Sequence, residues 1–444
     1  MPDAPPEDRS EEVFRDYKLP LARAQAMVEA NRCLFCSDAP CINACPTRID
    51  IPQFIRKIAT ENLRGSARTI FEANILGMSC ARVCPVEVLC VGACVYNHMD
   101  APPIAIGQLQ RFATDHAFEQ GWRFFEAGPD SGRSVGLIGG GPASLAAAHE
   151  LRRLGHRCTI YEKRARPGGL NVTGVAPYKM KADRAAEEVN WILGIGGIDV
   201  QTDCEVGAAL TPTDLESRHD ALFVGVGLGA DSTLDLPGES LPGVHGAVEW
   251  IERMKTGRVP VSNIQRCVVI GGGNTAVDAV REGLGLGIPS VTMIYRGAEA
   301  AMSGYAHEWK AAKINGACAQ WHAIPIAFEG NARLERVICR RVDADKRPIP
   351  GSDFALDADL ALVAIGQSRL ASLFAALPGL RIEKGRFITD ASGFTGRPKW
   401  FAGGDCANGG KEVVNAAAEG KAAARAIHAS FGLTLPSGSG GLHG

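Results

Sequence analysis

The chain of 444 residues lacks any uninterrupted apolar run near the ~18 to 20 residues that a transmembrane helix needs. Its opening stretch, Met1 to Ser10, is acidic and rich in proline and lacks the apolar core of a secretion signal. The net charge is only -2, and no run of lysine or arginine suggests a nucleic-acid or membrane surface. We therefore expect a soluble, cytoplasmic protein.

Cysteine, in contrast, is abundant and unevenly placed. Of 14 cysteines, eight fall in two groups between Asn31 and Gln110: Cys33, Cys36, Cys41 and Cys45, then Cys80, Cys84, Cys90 and Cys94. Proline follows Cys45, and a tight run of four cysteines ending in Cys-Pro is typical of [4Fe-4S] ferredoxins, where the fourth cysteine often serves the other cluster. The two groups predict two clusters.

Three other uses of cysteine fit this pattern less well. Structural zinc would take four thiolates and leave four unexplained, and the Cys-x3-Cys-Pro endings are not typical of zinc ribbons or fingers. Disulfides need an oxidising compartment. Isolated buried thiols do occur, and we expect that role for Cys158, Cys204, Cys267, Cys318 and Cys339, but such thiols do not cluster.

Helical spacing dominates the first 130 residues. An Ala-rich amphipathic segment, Leu21 to Asn31, leads into the first cysteines, and apolar residues recur at helical spacing from Ile51 to Phe71. Asp50 is the expected N-cap, with Pro52 in the first turn. No alternating strand pattern precedes about residue 133, and Gly121 to Gly132 is the expected linker.

A dinucleotide-binding pattern follows the linker. The predicted strand Ser134 to Ile138 leads into a glycine-rich turn, a helix from Leu145 to Leu154, and a second strand that ends in Glu162. Small residues in the turn let the backbone approach a pyrophosphate at the helix N-terminus, and the acid can accept from a ribose hydroxyl. The predicted contacts of this turn are Gly139, Gly141 and Ala143.

Further flavin contacts are expected on both sides of this pattern. A Gly-Gly pair ending at Gly169 shortly after the second strand is typical of two-dinucleotide flavoproteins, and Lys179 is a candidate phosphate or isoalloxazine contact, with a solvated surface lysine as the alternative. Near the end of the chain, a strand from Trp400 runs into Gly404 and Asp405, just before a final helix. That acid suits the ribityl chain of a flavin, although a plain strand-to-helix turn would also explain it.

The dinucleotide pattern occurs a second time from Arg266. It contains a strand to Ile270, a turn of Gly271, Gly272, Gly273, Asn274, Thr275 and Ala276, a helix, and a strand from Ser290 to Tyr295. Arg296 follows the second strand of this copy, at the position that Glu162 occupies in the first copy. An arginine at that position can bind a 2'-phosphate or stack on adenine. Gly297 to Ala301 supply no second cation, so the choice between NADH and NADPH stays open on the pattern alone.

These patterns predict an α/β chain with an α-helical two-cluster iron-sulfur domain followed by two Rossmann-like dinucleotide-binding domains. The expected boundaries are 1–130 for the [4Fe-4S] domain, 131–245 and 366–433 for a discontinuous FAD domain, 246–365 for an inserted NAD(P)H domain, and 434–444 for a flexible tail.

Taken together, the motifs resemble the flavin-bearing, electron-input part of dihydropyrimidine dehydrogenase, a separate subunit in bacteria, which is related to the small subunit of glutamate synthase. The pieces that carry the resemblance are Cys33 to Pro46, the Cys80 to Cys94 block and Ile106 to Gln110 with Arg111-Phe-Ala. The likeness extends from about Asn31 to Phe431.

The resemblance implies ligands that spacing alone does not give. One cluster would be held by Cys33, Cys36, Cys41 and Cys94, and the other by Cys45, Cys84, Cys90 and Gln110, which leaves Cys80 as a spare thiol or as the fourth ligand in place of Gln110. The resemblance also implies a larger set of FAD contacts: Glu162, Leu170, Lys179, Val206, Gly404, Asp405, Val413 and Val414. For the nicotinamide nucleotide the resemblance implies Gly272 to Thr275, Arg296, Gly297, Ala364, Ile365 and Gly366.

The function implied is the passage of electrons from NADH, the expected donor, through FAD and two clusters to an FMN-containing partner subunit that reduces uracil or thymine. Hydride transfer needs no catalytic acid or base, and none is assigned. The partner would form a hetero-oligomer with this chain, for which a heterotetramer is one arrangement. The alternatives are a glutamate synthase small subunit that uses NADPH, and a redox sensor whose clusters report rather than conduct.

Overall fold

The structure, a computed structural model, describes residues 5–207 and 210–435. The helices are α1 (Arg23–Asn31), α2 (Pro40–Asn43), α3 (Ile51–Ala59), α4 (Leu63–Ala73), α5 (Gly77–Val83), α6 (Ile106–Glu119), α7 (Pro142–Arg153), α8 (Leu170–Thr173), α9 (Ala182–Leu193), α10 (Pro212–Arg218), α11 (Ala247–Thr256), α12 (Asn274–Gly285), α13 (Ala306–Ile314), α14 (Asp405–Asn408) and α15 (Val413–Ser430). The predicted tail from 436 onward lies outside the described residues.

The strands are β1 (Ser134–Ile138), β2 (Arg157–Tyr161), β3 (Ile198–Gln201), β4 (Ala221–Val224), β5 (Val244–Gly246), β6 (Arg266–Ile270), β7 (Ser290–Tyr295), β8 (Cys318–Trp321), β9 (Ala323–Glu329), β10 (Arg336–Val342), β11 (Pro348–Asp357), β12 (Leu360–Val363), β13 (Ile382–Glu383), β14 (Arg386–Phe387) and β15 (Trp400–Ala402). The first strand of the described chain therefore begins at Ser134, as the sequence predicted.

The chain divides into two compact units. The smaller unit contains the segment ending at Asp16, the segment Thr173–Ala182 and Gly229–Ser368. The larger unit contains Tyr17–Val172, Asp183–Leu228 and the chain from Arg369 onward. The helices and turns that carry the clustered cysteines share a unit with the first dinucleotide sheet, whereas the chain up to Asp16 belongs to the smaller unit. The predicted domain boundaries stay predictions.

The larger unit is built on a five-stranded parallel sheet in the order β15-β4-β1-β2-β3. β1 lies at the centre and is buried along most of its length. β15, from the far end of the chain, pairs with β4. The predicted discontinuity of the first dinucleotide domain is thereby confirmed.

The cysteine-bearing helices of the larger unit pack around an apolar core that includes Phe54, Ile58 and Phe71. Asp50 caps α3, accepting from the backbone N-H of Gln53 at 3.1 Å, as predicted. The helical spacing from Ile51 to Phe71 corresponds to two helices rather than one, because Glu61 adopts a positive φ of 61° and Asn62 caps α4. The local sequence therefore determined which residues of α3 and α4 face the core. The turn at Glu61 and Asn62 separates the two helices.

The predicted linker 121–132 forms no helix or strand, but it is not a free tether. The N-H of Gly128 donates to the carbonyl of Arg152 at 2.8 Å, and that of Ser131 donates to the carbonyl of Gly155 at 3.0 Å. The linker thus lies along the end of α7 and the turn before β2.

The smaller unit repeats the parallel architecture in the order β5-β12-β6-β7-β8. A three-stranded antiparallel sheet, β11-β10-β9, accompanies it and was not anticipated from the sequence. In residues 5–207 and 210–435, no helix combines the length and apolar character needed to cross a bilayer.

Candidate functional site

Four predicted ligands of the first cluster line a single cavity in the larger unit. Cys33 and Cys36 come from the loop after α1 and Cys41 from α2, whereas Cys94 is the last member of the second cysteine group. The rest of the lining is largely apolar and includes Ile51, Pro52, Ile55, Ile104 and Ile106. Four thiols around an apolar cavity fit an iron-sulfur cluster, because a water-poor shell tunes its potential.

The thiols that line this cavity are buried and close to one another. Burial raises the pKa of Cys41 to about 12, and the neighbouring thiols of Cys33 and Cys94 add to the shift. Burial also raises the pKa of Cys33, beside Cys36 and Cys94. Thiols crowded in this way ionise easily only when a cation replaces their protons.

The second cysteine group lies within α5, at its C-cap and in the turn that follows it. Cys84 shares a hydrogen bond with Cys80, which together with burial raises the pKa of Cys84 well above its ordinary value. Burial raises the pKa of Cys90 as well, next to the thiols of Cys84 and Cys45. Cys90 is thus close enough to Cys84 and Cys45, the other two thiols expected on the second cluster, to feel their charge, and their assignment to that cluster stays a prediction.

Two candidates for a fourth ligand lie beside these cysteines. Gln110 is buried on α6, and its Nε2 donates to the carbonyl of Gly77 at 2.8 Å. Cys80 is buried within α5. Assignment of the ligand to Gln110 stays a prediction. In the described part of the chain, no three His, Cys, Asp or Glu side chains converge on a single metal ion.

Of the isolated cysteines, Cys158, Cys267 and Cys339 are buried as expected, but Cys204 is half-buried and Cys318 is exposed at the start of β8. The expectation of an interior position for Cys318 was wrong, because β8 is an edge strand of its sheet.

The first glycine-rich turn follows β1 at the carboxyl end of the parallel sheet. Gly139 has a φ of 89°, and a Cβ atom there would lie 2.6 Å from the carbonyl oxygen of Gly225. Gly141 caps α7, and Pro142 occupies its first turn. The N-H groups at the start of α7 thus face the crevice where parallel sheets of this kind bind a dinucleotide.

Glu162 stands at the end of β2 as predicted and orders the same turn. Its Oε2 accepts from the N-H of Gly140 at 2.7 Å, and its Oε1 accepts from that of Arg164 at 2.8 Å. The N-H of Gly168 donates to the carbonyl of Gly140 at 2.8 Å, and a Cβ atom on Gly169 would lie 2.9 Å from the Cα of Gly141. The Gly-Gly pair therefore lies directly against the glycine-rich turn, and Leu170 begins α8 there.

The C-terminal part of the site adds a residue that sequence reasoning missed. Gly404 donates its N-H to Oε2 of Glu419 at 2.7 Å, and Asn408 donates to both oxygens of that carboxylate at 3.0 Å. Asp405 accepts from the N-H of Lys411 at 3.2 Å, and burial raises its pKa. The lone acid in the Ala-rich face of α15 was the available signal for Glu419.

Other predicted flavin contacts lie at scattered places. Val413 and Val414 form the first turn of α15 in the larger unit, and Val206 is buried there in a short bridge to Leu210. Lys179 lies in the smaller unit, where its Nζ is 2.9 Å from Asp278 and from Glu308.

With 11% of its side chain exposed, Lys179 is not the solvated surface lysine considered as an alternative. Burial by itself would lower the pKa of Lys179, but Asp278 and Glu308 outweigh it and raise that pKa. Its assignment to the flavin stays a prediction.

The second glycine-rich turn has the same construction in the smaller unit. A Cβ atom on Gly271 would lie 2.3 Å from the carbonyl oxygen of Ala364, and one on Gly272 would lie 2.4 Å from the ring of Tyr295. Gly273 caps α12, whose first residues are Asn274 and Thr275. This crowding leaves only bare backbone for a pyrophosphate to approach.

The residues expected around the adenosine and nicotinamide ends also belong to the smaller unit. Arg296 is exposed directly after β7, whereas Gly297 is buried and accepts a hydrogen bond from the N-H of His322 at 3.2 Å. Ile365 and Gly366 follow β12, and Ile365 is exposed. Arg296 thus directly follows Tyr295, whose ring lies against Gly272, and its assignment to the nucleotide stays a prediction.

Two family models match the chain. One is described as dihydropyrimidine dehydrogenase domain II, 4Fe-4S cluster, over residues 9–122, and the other as pyridine nucleotide-disulphide oxidoreductase over residues 133–420. The latter spans more than half of the chain.

Curated relatives match nearly the whole chain. The NAD-dependent dihydropyrimidine dehydrogenase subunit PreT of Escherichia coli is 36% identical over 91% of this chain and 93% of its own length. The glutamate synthase [NADPH] small chain of Escherichia coli is 32% identical over 96% of this chain and 95% of its own length.

Solved structures share the fold of the dinucleotide-binding part. Thioredoxin reductase of Lactococcus lactis is 20% identical with a TM-score of 0.54, over 68% of this chain and 100% of that one. FprA of Mycobacterium tuberculosis in complex with NADPH is 19% identical with a TM-score of 0.54, over 68% of this chain and 85% of that one. The chain is an oxidoreductase with an iron-sulfur domain and FAD- and NAD(P)-binding domains, and it belongs to the family that includes the PreT subunit of dihydropyrimidine dehydrogenase and the small chain of glutamate synthase.

Proposed function

We propose that this chain is the electron-input subunit of a dihydropyrimidine dehydrogenase, in which electrons from NADH pass through FAD and two [4Fe-4S] clusters to an FMN-containing partner that reduces uracil and thymine. A hydride carries two electrons and a cluster accepts one, so a flavin has to stand between them. One observation carries the proposal: both cysteine groups and the first glycine-rich turn belong to the same compact unit.

The order of the two clusters follows from contacts within the larger unit. The charge of Glu412, the N-cap of α15, acts on Cys84, and the first turn of α15 holds Val413 and Val414, which are expected beside the flavin. α15 also contacts α5, the helix that contains Cys80 and ends at Cys84. The second cysteine group is therefore the nearer neighbour of the flavin site.

The first cluster, expected on Cys33, Cys36, Cys41 and Cys94, would lie farther from the flavin along the path of the electrons. Burial and the thiols of Cys84, Cys45 and Cys41 all raise the pKa of Cys90, so a residue of the first cavity is close to the second group. Because Cys41 lines the first cavity, we infer that electrons leave through that cluster.

The nucleotide preference rests on the surroundings of Arg296. A 2'-phosphate is commonly bound by an arginine at this position, and a second cation makes this binding tighter. Between residues 297 and 301 there is none, and Lys313 on the neighbouring α13 is paired with Glu299 at 2.5 Å. These features support NADH as the donor.

The proposed partner supplies the pyrimidine site. In residues 5–207 and 210–435, the elements are the cysteine-bearing helices, two dinucleotide sheets with their helices, one antiparallel sheet and a short hairpin. The relatives named PreT are described as subunits. We therefore place pyrimidine reduction in a second chain that forms a hetero-oligomer with this one.

The test is anaerobic stopped-flow mixing of the purified chain with NADH and, separately, NADPH, followed by turnover with the partner and uracil. We expect NADH to bleach the flavin faster than NADPH and to form dihydrouracil only when both chains are present. A chain that instead supports glutamate formation from glutamine and 2-oxoglutarate, with NADPH preferred, would establish the glutamate synthase alternative. No flavin reduction by either nucleotide would favour a redox sensor.

The number of clusters has its own test. Two [4Fe-4S] clusters require about eight irons per chain. Cys84→Ser should lose about four of them, because that thiol is assigned to the second cluster. Cys318→Ser, which alters an exposed cysteine of the smaller unit, should retain all of them. Equal iron in the wild type and in both variants would exclude the assignment of Cys84.

A further inference from the structure

Glu188 is a buried carboxylate on α9 that none of the predicted ligand sets includes. It is 1% exposed, and its partners all come from the first turn of α5. The N-H of Met78 donates to its Oε1 at 2.8 Å, the N-H of Ser79 donates to both oxygens at 3.2 Å, and the hydroxyl of Ser79 donates to its Oε2. One side chain thus satisfies free donors at the start of α5.

The helix that Glu188 holds also carries the second cysteine group. Cys80 lies in the turn that follows Ser79, and Cys84 is the C-cap of α5. α5 has only seven residues, so a displacement of its first turn moves its last residue too. Glu188 therefore controls where the thiol of Cys84 lies.

The same first turn also positions the other expected ligand. The carbonyl of Gly77 accepts from Nε2 of Gln110 at 2.8 Å, immediately before the N-H groups that Glu188 binds. At the other end of α5, the buried Arg82 pairs with Asp115 on α6 at 2.6 Å. α6 and α9 thus hold α5 from two directions, and α9 belongs to the part of the chain that follows the glycine-rich turn.

Keeping a carboxylate in this position is costly. Burial raises the pKa of Glu188 to about 7, while the hydrogen bonds from Ser79 and Met78 oppose that shift. Truncating the side chain would leave two backbone N-H groups and a hydroxyl without an acceptor, and buried groups of that kind are strongly unfavourable. The arrangement is stable only with α5 docked on α9.

We propose that Glu188 is the positioning residue of the second cluster, because it fixes α5 to the flavin-binding part of the chain and so sets the place of Cys84 and Gln110. This inference rests on the proposed function, since it takes the second cluster as the electron acceptor of the flavin. Glu188 touches neither cofactor; it acts through the helix.

The test compares Glu188→Ala, Glu188→Gln and Ser79→Ala with the wild type, using the whole chain loaded with FAD and iron. Removing residues that orient metal ligands typically costs about 10- to 100-fold in affinity or activity, and we expect Glu188→Ala to slow second-cluster reduction by a factor in this range. Glu188→Gln retains one acceptor and should have a smaller effect. Ser79→Ala, which removes only the hydroxyl, should have the smallest.

Three readouts separate positioning from general damage. Bleaching of the flavin by NADH should be unchanged, because the hydride step does not use α5. Hydrogen exchange at the amides of Met78 and Ser79 should accelerate in Glu188→Ala while the rest of α9 keeps its protection, and the redox potential of the second cluster should shift. The control is Glu187→Gln, since Glu187 is the half-buried neighbour on α9 and pairs with Arg184.

The outcomes distinguish a failure of this inference from a failure of the proposed function. Wild-type rates of cluster reduction and unchanged exchange in Glu188→Ala would overturn the inference, as would a parallel loss of flavin reduction. If Glu188→Ala does not fold, Glu188→Gln decides, because it keeps the shape of the side chain but only one acceptor oxygen: wild-type cluster reduction and wild-type exchange at Met78 and Ser79 in that variant would overturn the inference. If the wild type itself passes no electrons from NADH to its clusters, the proposed function fails instead, and the exchange data still report on Glu188.

Discussion

Gly139 and Gly141 lie two residues apart in the first glycine-rich turn, yet the backbone constrains them differently. Gly139 needs its positive φ of 89°, and a Cβ atom would clash with the carbonyl of Gly225. Gly141 has a φ of -79°, and a Cβ atom there would lie 3.9 Å from that carbonyl. One glycine is thus required by the fold and the other only by a ligand.

We expect Gly139→Ala to lower the free energy of unfolding by about 1 to 3 kcal/mol, the usual cost of a strained backbone, and to abolish FAD binding. Gly141→Ala should leave the free energy of unfolding of the apoprotein within about 0.5 kcal/mol of wild type but weaken FAD binding, because its methyl group points where the pyrophosphate approaches. Urea unfolding of the apoprotein and flavin titration measure the two effects. Equal losses of stability in both variants would contradict this explanation.

His156 and His428 form a buried chain of hydrogen bonds in the larger unit. His156 Nδ1 lies 2.7 Å from Oγ of Ser131, His156 Nε2 lies 2.9 Å from His428 Nδ1, and His428 Nε2 lies 3.1 Å from the carbonyl of Thr434. A carbonyl only accepts, so His428 donates from Nε2, His156 donates from Nε2, and the hydroxyl of Ser131 donates to His156. One set of tautomers satisfies the whole chain.

Burial lowers the pKa of His156 to about 4, and the nearby His428 and Arg152 contribute to the shift. An unfolded histidine titrates near 6.5, so between about pH 6.5 and pH 4 the unfolded state binds more protons. The free energy of unfolding should therefore fall as the pH drops through this window. The advantage of wild type over His156→Gln should shrink between pH 7 and pH 5 in urea unfolding.

The control for this pH effect is His98→Gln, because His98 is exposed. This variant measures the effect of replacing an exposed histidine over the same pH range. If the wild-type advantage over His156→Gln were constant between pH 7 and pH 5, the neutral state of His156 would not stabilise the folded protein.

Among the elements, α15 depends on a close approach to α7. A Cβ atom on Gly420 would lie 2.1 Å from the carbonyl oxygen of Ala143, which belongs to the first turn of α7. Backbone cannot yield as a flexible side chain can. The C-terminal helix therefore helps to define the glycine-rich turn, although nearly 280 residues separate the two in sequence.

Gly420→Ala should force α15 away from α7 and lower the free energy of unfolding by about 1 to 3 kcal/mol, the usual cost of overpacking. The FAD content should fall together with the stability, because the carbonyl of Ala143 belongs to the first turn of α7, which directly follows the first glycine-rich turn. Ala429→Val, which adds bulk at the exposed end of the same helix, serves as the control and should retain FAD. Full FAD content in Gly420→Ala would show that the helix can shift without disturbing the turn.

On the scale of the whole chain, the smaller unit is assembled from three separate segments. Lys255 on α11 joins two of them, because its buried Nζ donates to the carbonyls of Val175 and Met180 at 2.9 Å. The N-H of Ala182 donates to Glu11 at 2.9 Å, which ties in the N-terminal segment. Burial lowers the pKa of Lys255 to about 8, while Glu11 and Glu282 oppose the shift.

Lys255→Met should lower the free energy of unfolding by about 3 to 5 kcal/mol, since it leaves carbonyls and carboxylates buried beside an apolar side chain. Cleavage by a protease within 173–182 should become faster, because that segment loses its anchor. Lys310→Met, at an exposed lysine of α13, is the control and should behave like wild type. Unchanged proteolysis of Lys255→Met would mean that the segment is held by its apolar contacts alone.

Features that depend on neighbouring residues were predictable from the sequence. Both glycine-rich turns, the strands before them, the cap at Asp50 and the grouping of the cysteines arise from patterns a few residues long, because dihedral preferences and helical or strand periodicity act locally. The comparisons confirm the family and the fold class that these patterns predicted.

Other features required the tertiary structure. Glu188 and Glu419 look like ordinary helical acids in the sequence, Lys179 like a surface lysine, and the segment ending at Asp16 like part of the helical domain. Their roles depend on partners 15 to 129 residues away or, for Glu11 and Ala182, 171 residues away. The sequence by itself determined which cofactor-binding turns this protein has, whereas only long-range packing decided which buried charges hold them in place, since a buried charge is stable only where the fold brings it a partner.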